Sequence, residues 1–465
     1  MEEILNRRVD ELFDYMVKDI QSLIRIDSVL DESTASKEAP FGNGIGDALD
    51  QFLRIGNRLG FKTGNCDGYA GWAQLGDNGS EVGILVHMDV VPAAGDWKYP
   101  PFSAMLEDGK IYGRGSVDDK GPAVACLYGM KAVMDAGLPM SNHVRIIAGT
   151  DEETFARGIH YYLERENAPA YGFSPDAEFP IIYAEKGIIR FGYRLPLALP
   201  DKNILSIHAG TRLNVVPSLA EARVAGITAA EVGSMLASRT DGHRFNVLAD
   251  GGIIRIISHG VPSHASYPSE GYNAIQGLLS LLASLFPNSS DPLKVFLRRL
   301  NRSFLMETDG HSWGIACKDE VSGALTCNMA ILESGKDEAI VKFDIRYPVT
   351  HDSNKLTARL EAYSHELGLN TKYELVQHKK PLYVEKDRPF IKKLQKAYSE
   401  TTGEDAALLS IGGGTYCRYL KNFVSMGPVF PGQKELAHQE NEFLALDDLR
   451  RFAKIYAQAI YELTK

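Results

Sequence analysis

The segment Glu81–Pro92 reads EVGILVHMDVVP, an apolar run (Val82, Ile84, Leu85, Val86) that ends on His87 and Asp89. Such a run predicts a buried strand. Side chains alternate along a strand, so His87 and Asp89 can point the same way at its carboxyl end. A carboxylate placed beside an imidazole can fix the tautomer and direction of the ring with one hydrogen bond. A His-x-Asp turn at the surface has the same letters, so the pair gains meaning only from partners elsewhere in the chain.

The surrounding pattern sets that strand in an α/β sheet. Before it, Leu5, Val9, Leu12, Phe13, Met16, Ile20, Leu23 and Ile24 trace one stripe of an amphipathic helix. After it, GPAVACLYGMKAVMDAG predicts a helix closed by Gly137, HVRIIAGT a second buried strand, and GIHYYLERE another helix. Strands interleaved with helices favour a sheet covered on both faces, and such sheets bind ligands beyond the carboxyl ends of their strands. His87 lies at one such end and Asp151, Glu152 and Glu153 at another.

From about Lys186 to Pro381 the texture changes. GIIRFGYRL, AEARVAGI, GGIIRIISHG and AIVKFDIRYP read as half-exposed strands, with helical stretches around 272–286 and 353–367. Doubly wound texture then returns with a helix near 388–402, the loop LLSIGGGTYCR and a terminal helix from about Leu444. The expectation is a two-domain chain. A mixed-sheet α/β domain, built from residues 1–185 and 383–465, is interrupted by an inserted α+β domain at 186–382.

Composition excludes several classes. A length of 465 residues suits two or three domains, and 44% hydrophobic with 24% charged residues is ordinary for a globular protein. The net charge of -10, with no dense basic stretch, argues against a nucleic-acid partner. No apolar segment approaches the roughly 20 residues of a membrane helix, and the amino terminus lacks the apolar core of a signal peptide. The five cysteines are scattered without a C-x-x-C, which favours a reducing compartment and a cytoplasmic protein over a disulfide framework or a cysteine zinc site.

Four more stretches place acids and a histidine at strand ends or in turns: IYGRGSVDDKGP (Asp118, Asp119), IIAGTDEET (Glu152, Glu153), FSPDAEFP (Asp176, Glu178) and LAHQENEF (His438, Glu440). Singly, each has a plain reading: Asp118 and Asp119 as acids at a helix N-terminus, the glutamates as solvated, Asp176 as a turn residue, His438 as a satisfied polar group. Together they recur where α/β sheets do chemistry.

The order H-M-D, G-R-G-x-x-D-D-K-G, E-E, P-D-A-E and a late histidine before a terminal helix resembles the co-catalytic di-metal family of aminopeptidases, carboxypeptidases and deacylases. Within it the chain is most similar to the PepV-type dipeptidases, also through SPDAEFPII, IGGGTY and the terminal AIYELTK. The resemblance implies a metallopeptidase in which the inserted domain is a lid. His87 and Asp176 would hold one metal, Glu153 and His438 the other, and Asp118, rather than Asp119, would bridge them. Imidazole and carboxylate donors suit Zn²⁺ first, with Mn²⁺ or Co²⁺ also possible. Glu152 would be the general base, and Asp89 would orient His87.

From the insertion, His264 in GVPSHASYP resembles a histidine that stabilises the oxyanion, and Asn214 in TRLNVVP a second contact to the substrate. Arg346 in FDIRYP resembles the arginine that grips the substrate carboxylate, and the backbone of Gly412, Gly413 and Gly414 would approach the same group. The function implied is hydrolysis of dipeptides with a free N-terminus. An N-acyl-amino-acid deacylase or an aminotripeptidase shares the same metal site. A non-catalytic peptide-binding protein would be expected to have lost Glu152 or a ligand, and a phosphoesterase to carry a basic cluster beside these motifs. Members that dimerise have a smaller lid, so the long insertion here implies a monomer acting on a small peptide.

Overall fold

The computed structural model describes residues 2–304 and 306–465. One compact unit comprises the chain up to Ala184 together with Tyr383–Ser410 and Gly414–Lys465; the other comprises Glu185–Leu382 and Ile411–Gly413.

The first unit is built on a mixed sheet whose order is Lys62–Cys66, Ala70–Leu75, His143–Gly149, Glu81–His87, Tyr171–Ser174, Phe423–Ser425, Ile181–Glu185 and Leu382–Tyr383. Its centre is parallel. Glu81–His87 pairs in parallel with both His143–Gly149 and Tyr171–Ser174, His87 opposite Gly149 and Ile84 opposite Phe173. Three carboxyl ends therefore lie along one edge, and the chain leaves them at His87, at Asp151–Glu153 and at Asp176. The outer pairs, such as Ala70–Leu75 with His143–Gly149, are antiparallel.

Helices cover this sheet. Lys120–Asp135 is apolar on all sides, and Val124, Leu127, Met130 and Val133 are fully buried, as expected of a helix enclosed by others. Helices Glu2–Ile24 and Leu446–Thr464 pack against it. The stripe of Glu2–Ile24 buries Leu5, Val9, Phe13, Met16, Ile20, Leu23 and Ile24. Leu12 is only half-buried, and Asp19 goes inside instead, where it accepts the Tyr128 hydroxyl at 2.6 Å and pairs with Arg58.

The second unit is an antiparallel sheet ordered Phe245–Asp250, Ile253–His259, Leu219–Ala225, Ile204–Ala209, Thr326–Ser334, Glu338–Tyr347, Gly187–Pro196 and Lys372–Lys379. Helices Ala274–Leu285, Pro292–Phe304 and Ser353–Leu367 share its core, in which Phe191, Tyr193, Phe304, Trp313 and Phe343 meet. The α/β class read from the sequence is the class observed.

Candidate metal centre

The parallel strands deliver side chains to one place in the first unit. His87, fully buried at the end of its strand, directs Nε2 to Asp118 Oδ1 at 3.0 Å and stands 3.7 Å from Asp176 Oδ2. The other oxygen of Asp118 lies 3.0 Å from His438 Nε2, which is also 3.0 Å from Glu153 Oε2. Asp118 thus stands between two imidazoles, one oxygen toward each. Potential donor atoms of His87, Asp118 and Glu153 all lie within 4.8 Å of one another. Burial is graded: the side chains of Asp118, Glu153 and Asp176 are 10%, 11% and 20% exposed, that of His438 53%.

The electrostatics describe a place short of positive charge. Burial alone would push the His87 imidazole down, yet hydrogen bonds to Asp118 and Asp89 raise it well above its ordinary value. His438 is likewise pushed down by burial but raised to about 11 by Asp118 and Glu153. Burial pushes Asp118 up, but the two histidines outweigh it and hold it well below the usual carboxylate range. Asp176 and Glu153 are raised by burial and by the charge of Asp118, against the pull of the imidazoles. Glu152, raised by burial first and then by Glu153, Asp89 and Asp118 against His87, reaches about 7. Protons on the imidazoles here stand in for positive charge. Two imidazoles and three carboxylates so arranged fit divalent cations that take nitrogen and oxygen donors.

Behind this cluster the contacts differ in part from expectation. The His87 Nδ1–H is met at 3.0 Å by the backbone carbonyl of Asp89, with the carboxylate further off at 3.6 Å. That bond fixes the ring so that Nε2 faces Asp118. The Asp89 carboxylate instead accepts the backbone N–H groups of Glu152 at 3.1 Å and Glu153 at 3.0 Å, so it holds the turn carrying both glutamates. Asp119 turns inward, where it accepts the backbone N–H of His87 at 3.1 Å. Asp151 is buried against Arg157 at 2.8 Å. A buried pair that the motifs did not announce, Arg114 and Glu442 at 2.6 Å, lies beside the Asp118 loop; its signal was an acid four residues after His438 and an arginine four before Asp118.

In the second unit Asn214 and His264 lie on paired segments, with Val215 bridged to His264 and the Ala265 N–H donating to the Asn214 carbonyl at 2.9 Å. The Ser266 N–H donates to His264 Nδ1 at 3.3 Å, which leaves the ring proton on Nε2. Burial, and then the charge of Arg346, lowers this imidazole, so it is a neutral donor near pH 7. Arg346 is buried rather than at the surface. Its Nε and Nη2 hold Asp344 at 2.5 and 3.2 Å, and its Nη1 donates to the Gly412 carbonyl at 2.8 Å. Arg190 takes the same Asp344 at 2.8 Å, so two guanidinium charges share one carboxylate. A Cβ on Gly413 would meet only Ile411 at 3.6 Å, whereas one on Gly414 would lie 1.9 Å from Arg418. A side chain could stand at Gly413 in ordinary contact with Ile411, whereas Gly414 is packed against Arg418.

Residues 83–462 match the sequence profile of Peptidase family M20/M25/M40. The chain is 40% identical over 472 residues to the "Putative dipeptidase YtjP" of Bacillus subtilis (strain 168), covering 100% of this chain and 99% of that protein. A "Putative dipeptidase" of Staphylococcus epidermidis (strain ATCC 12228 / FDA PCI 1200) is 35% identical, covering 98% of each chain. Among solved structures, human carnosine dipeptidase 1 superposes with a TM-score of 0.61 at 15% identity, covering 99% of this chain and 98% of that one. The Saccharomyces cerevisiae di-peptidase Dug1p gives 0.60 at 15%, with the same coverage; at such identities the likeness is one of fold. With the profile spanning most of its length, the chain belongs to the peptidase family M20/M25/M40.

Proposed function

We propose that this peptidase is a metal-dependent dipeptidase that binds two divalent cations through His87, Asp176, Glu153 and His438, with Asp118 shared between them. The observation that carries this reading is Asp118 with one oxygen 3.0 Å from each of two imidazoles. The relatives named as dipeptidases over their whole length supply the substrate class. Zn²⁺ is the first choice, and Mn²⁺ or Co²⁺ fit the same donors.

When bound, the cations polarise the scissile carbonyl and acidify water. Glu152, adjacent to a ligand and raised to about 7, takes the proton from the attacking water and passes it to the leaving amine. Asp89 holds the backbone that aims it. His264, with its proton on Nε2, donates to the oxyanion, and Asn214 adds a contact to the substrate. Arg346, braced by Asp344, carries charge that Asp344 cannot neutralise for Arg190 as well, and with the backbone of Gly413 it receives the substrate carboxylate. Gly414 belongs to that loop but turns on Arg418. We assign the lid role to the second unit, and a monomer in the cytoplasm as the working form; the five cysteines form no disulfide among the described residues, and no helix among the described residues is long and apolar enough to cross a membrane.

The test is elemental analysis of the purified protein beside hydrolysis of a dipeptide, a tripeptide and an N-acetyl amino acid. Near two metal ions per chain and preference for the dipeptide are expected. Preference for the acetylated substrate would make the protein a deacylase, and for the tripeptide an aminotripeptidase.

A further inference from the structure

Glu442 has no surface exposure and Arg114 only 2%, and neither has a part in the chemistry above. The carboxylate of Glu442 is ringed by donors. One oxygen accepts Arg114 Nη1 at 2.6 Å and the Gly115 N–H at 3.2 Å. The other accepts the N–H groups of Val117 at 2.8 Å and Asp118 at 3.4 Å, with the Ser116 hydroxyl at 3.4 Å. The loop before Asp118 is thus wrapped around a single buried anion, in the manner of a backbone nest. Gly115, at φ +86, supplies the turn that brings these N–H groups inward.

Arg114 extends the contact to two other ligand-bearing stretches. It donates to the Gln439 carbonyl at 3.2 Å, next to His438, and to the Pro92 carbonyl at 3.5 Å, beyond His87 and Asp89. The Gly113 N–H returns to the Glu442 carbonyl at 3.0 Å.

We infer that Glu442, with Arg114, is a positioning residue for the metal centre: it sets the backbone of Asp118 so that the shared carboxylate reaches both histidines. The inference rests on the two-cation reading above. Groups that orient metal ligands typically change metal affinity by about 10–100-fold when removed. In Glu442→Gln an amide NH₂ would face Arg114 or the backbone N–H groups, and Asp118 would lose its seat. Because Arg114 would then be a buried unpaired charge, the double variant Arg114→Met/Glu442→Gln removes both charges together.

The experiment titrates metal-free full-length protein with Mn²⁺ and follows free and bound ion by electron paramagnetic resonance. Wild type should take up two ions with a spin-coupled signal. Glu442→Gln and the double variant should bind the second ion about 10–100-fold more weakly, and lose the coupled signal, while keeping native circular dichroism. Wild-type affinity and an unchanged coupled signal in a folded variant would overturn the inference and leave the dipeptidase reading intact. Wild type that binds fewer than two ions would overturn both. If neither variant folds even with Mn²⁺ present, Glu442 is a folding residue and the inference also falls.

Discussion

Glu152 and Glu153 are neighbours with different surroundings. Glu153 touches His438 at 3.0 Å, whereas no such imidazole contact ties Glu152 among the described residues, and burial raises it to about 7. Glu152→Gln should lower kcat by about 10²–10⁴ while metal content stays near the wild-type level; Glu153→Ala should lose metal. Elemental analysis beside initial rates checks both, and equal metal loss would reverse the assignment. Arg346 makes a second case. Dipeptide amides should be poor substrates, and Arg346→Met should narrow the difference between acid and amide; amides cleaved as fast as acids in the native protein would remove the carboxylate clamp. At this scale the candidate ligands come from the resemblance, whose motifs set residue type and order together; singly, each acid or histidine has a plain reading. What Asp89 binds could not be read from the chain, since that depends on where the Glu152–Glu153 backbone arrives from another strand. Glu442 was equally hidden: a charged residue in a motif carries no mark that it is buried.

Elements with long apolar runs or a clear helical stripe were legible from the sequence, among them Glu81–His87, His143–Gly149, Lys120–Asp135 and Leu446–Thr464. Length and flanking turn residues separate the two short runs, which are strands, from the two long ones, which are helices. Helix Pro292–Phe304 was passed over although Leu293, Phe296, Leu297, Leu300 and Phe304 keep a helical period and are buried. Its Arg298, Arg299 and Arg302 lie between those apolar positions, and in the fold Arg299 is exposed and Arg298 half-buried. The helix ends on Phe304, whose ring lies 4.1 Å from that of Trp313 and 4.9 Å from that of Phe343. Phe304→Ala should cost about 3–5 kcal/mol through lost burial and the cavity left behind. Urea unfolding followed by Trp fluorescence reads this as a transition moved to lower denaturant. A shift near zero would mean that this corner of the core repacks.

At the scale of the molecule the question is whether one chain suffices. The second unit spans Glu185–Leu382 with Ile411–Gly413 and carries its own sheet and core, a size typical of a free-standing domain. Resemblance assigns the oxyanion histidine of smaller-lid relatives to a partner chain, and we expect this longer insertion to supply His264 to its own chain. Loss of one oxyanion donor typically lowers kcat by about 10²–10³, so His264→Ala should be nearly inactive yet folded and metal-loaded. Glu152→Gln is inactive for a different reason, so mixing the two variants separates the cases. A histidine acting on a partner's metals would let a hybrid dimer combine one intact Glu152 with one intact His264, and activity would return on mixing. A histidine acting within its own chain leaves every molecule in the mixture lacking one of the two groups. We expect no recovery, with a monomer by light scattering at assay concentration. Recovery on mixing, or a dimer under those conditions, would show that catalysis is shared between chains.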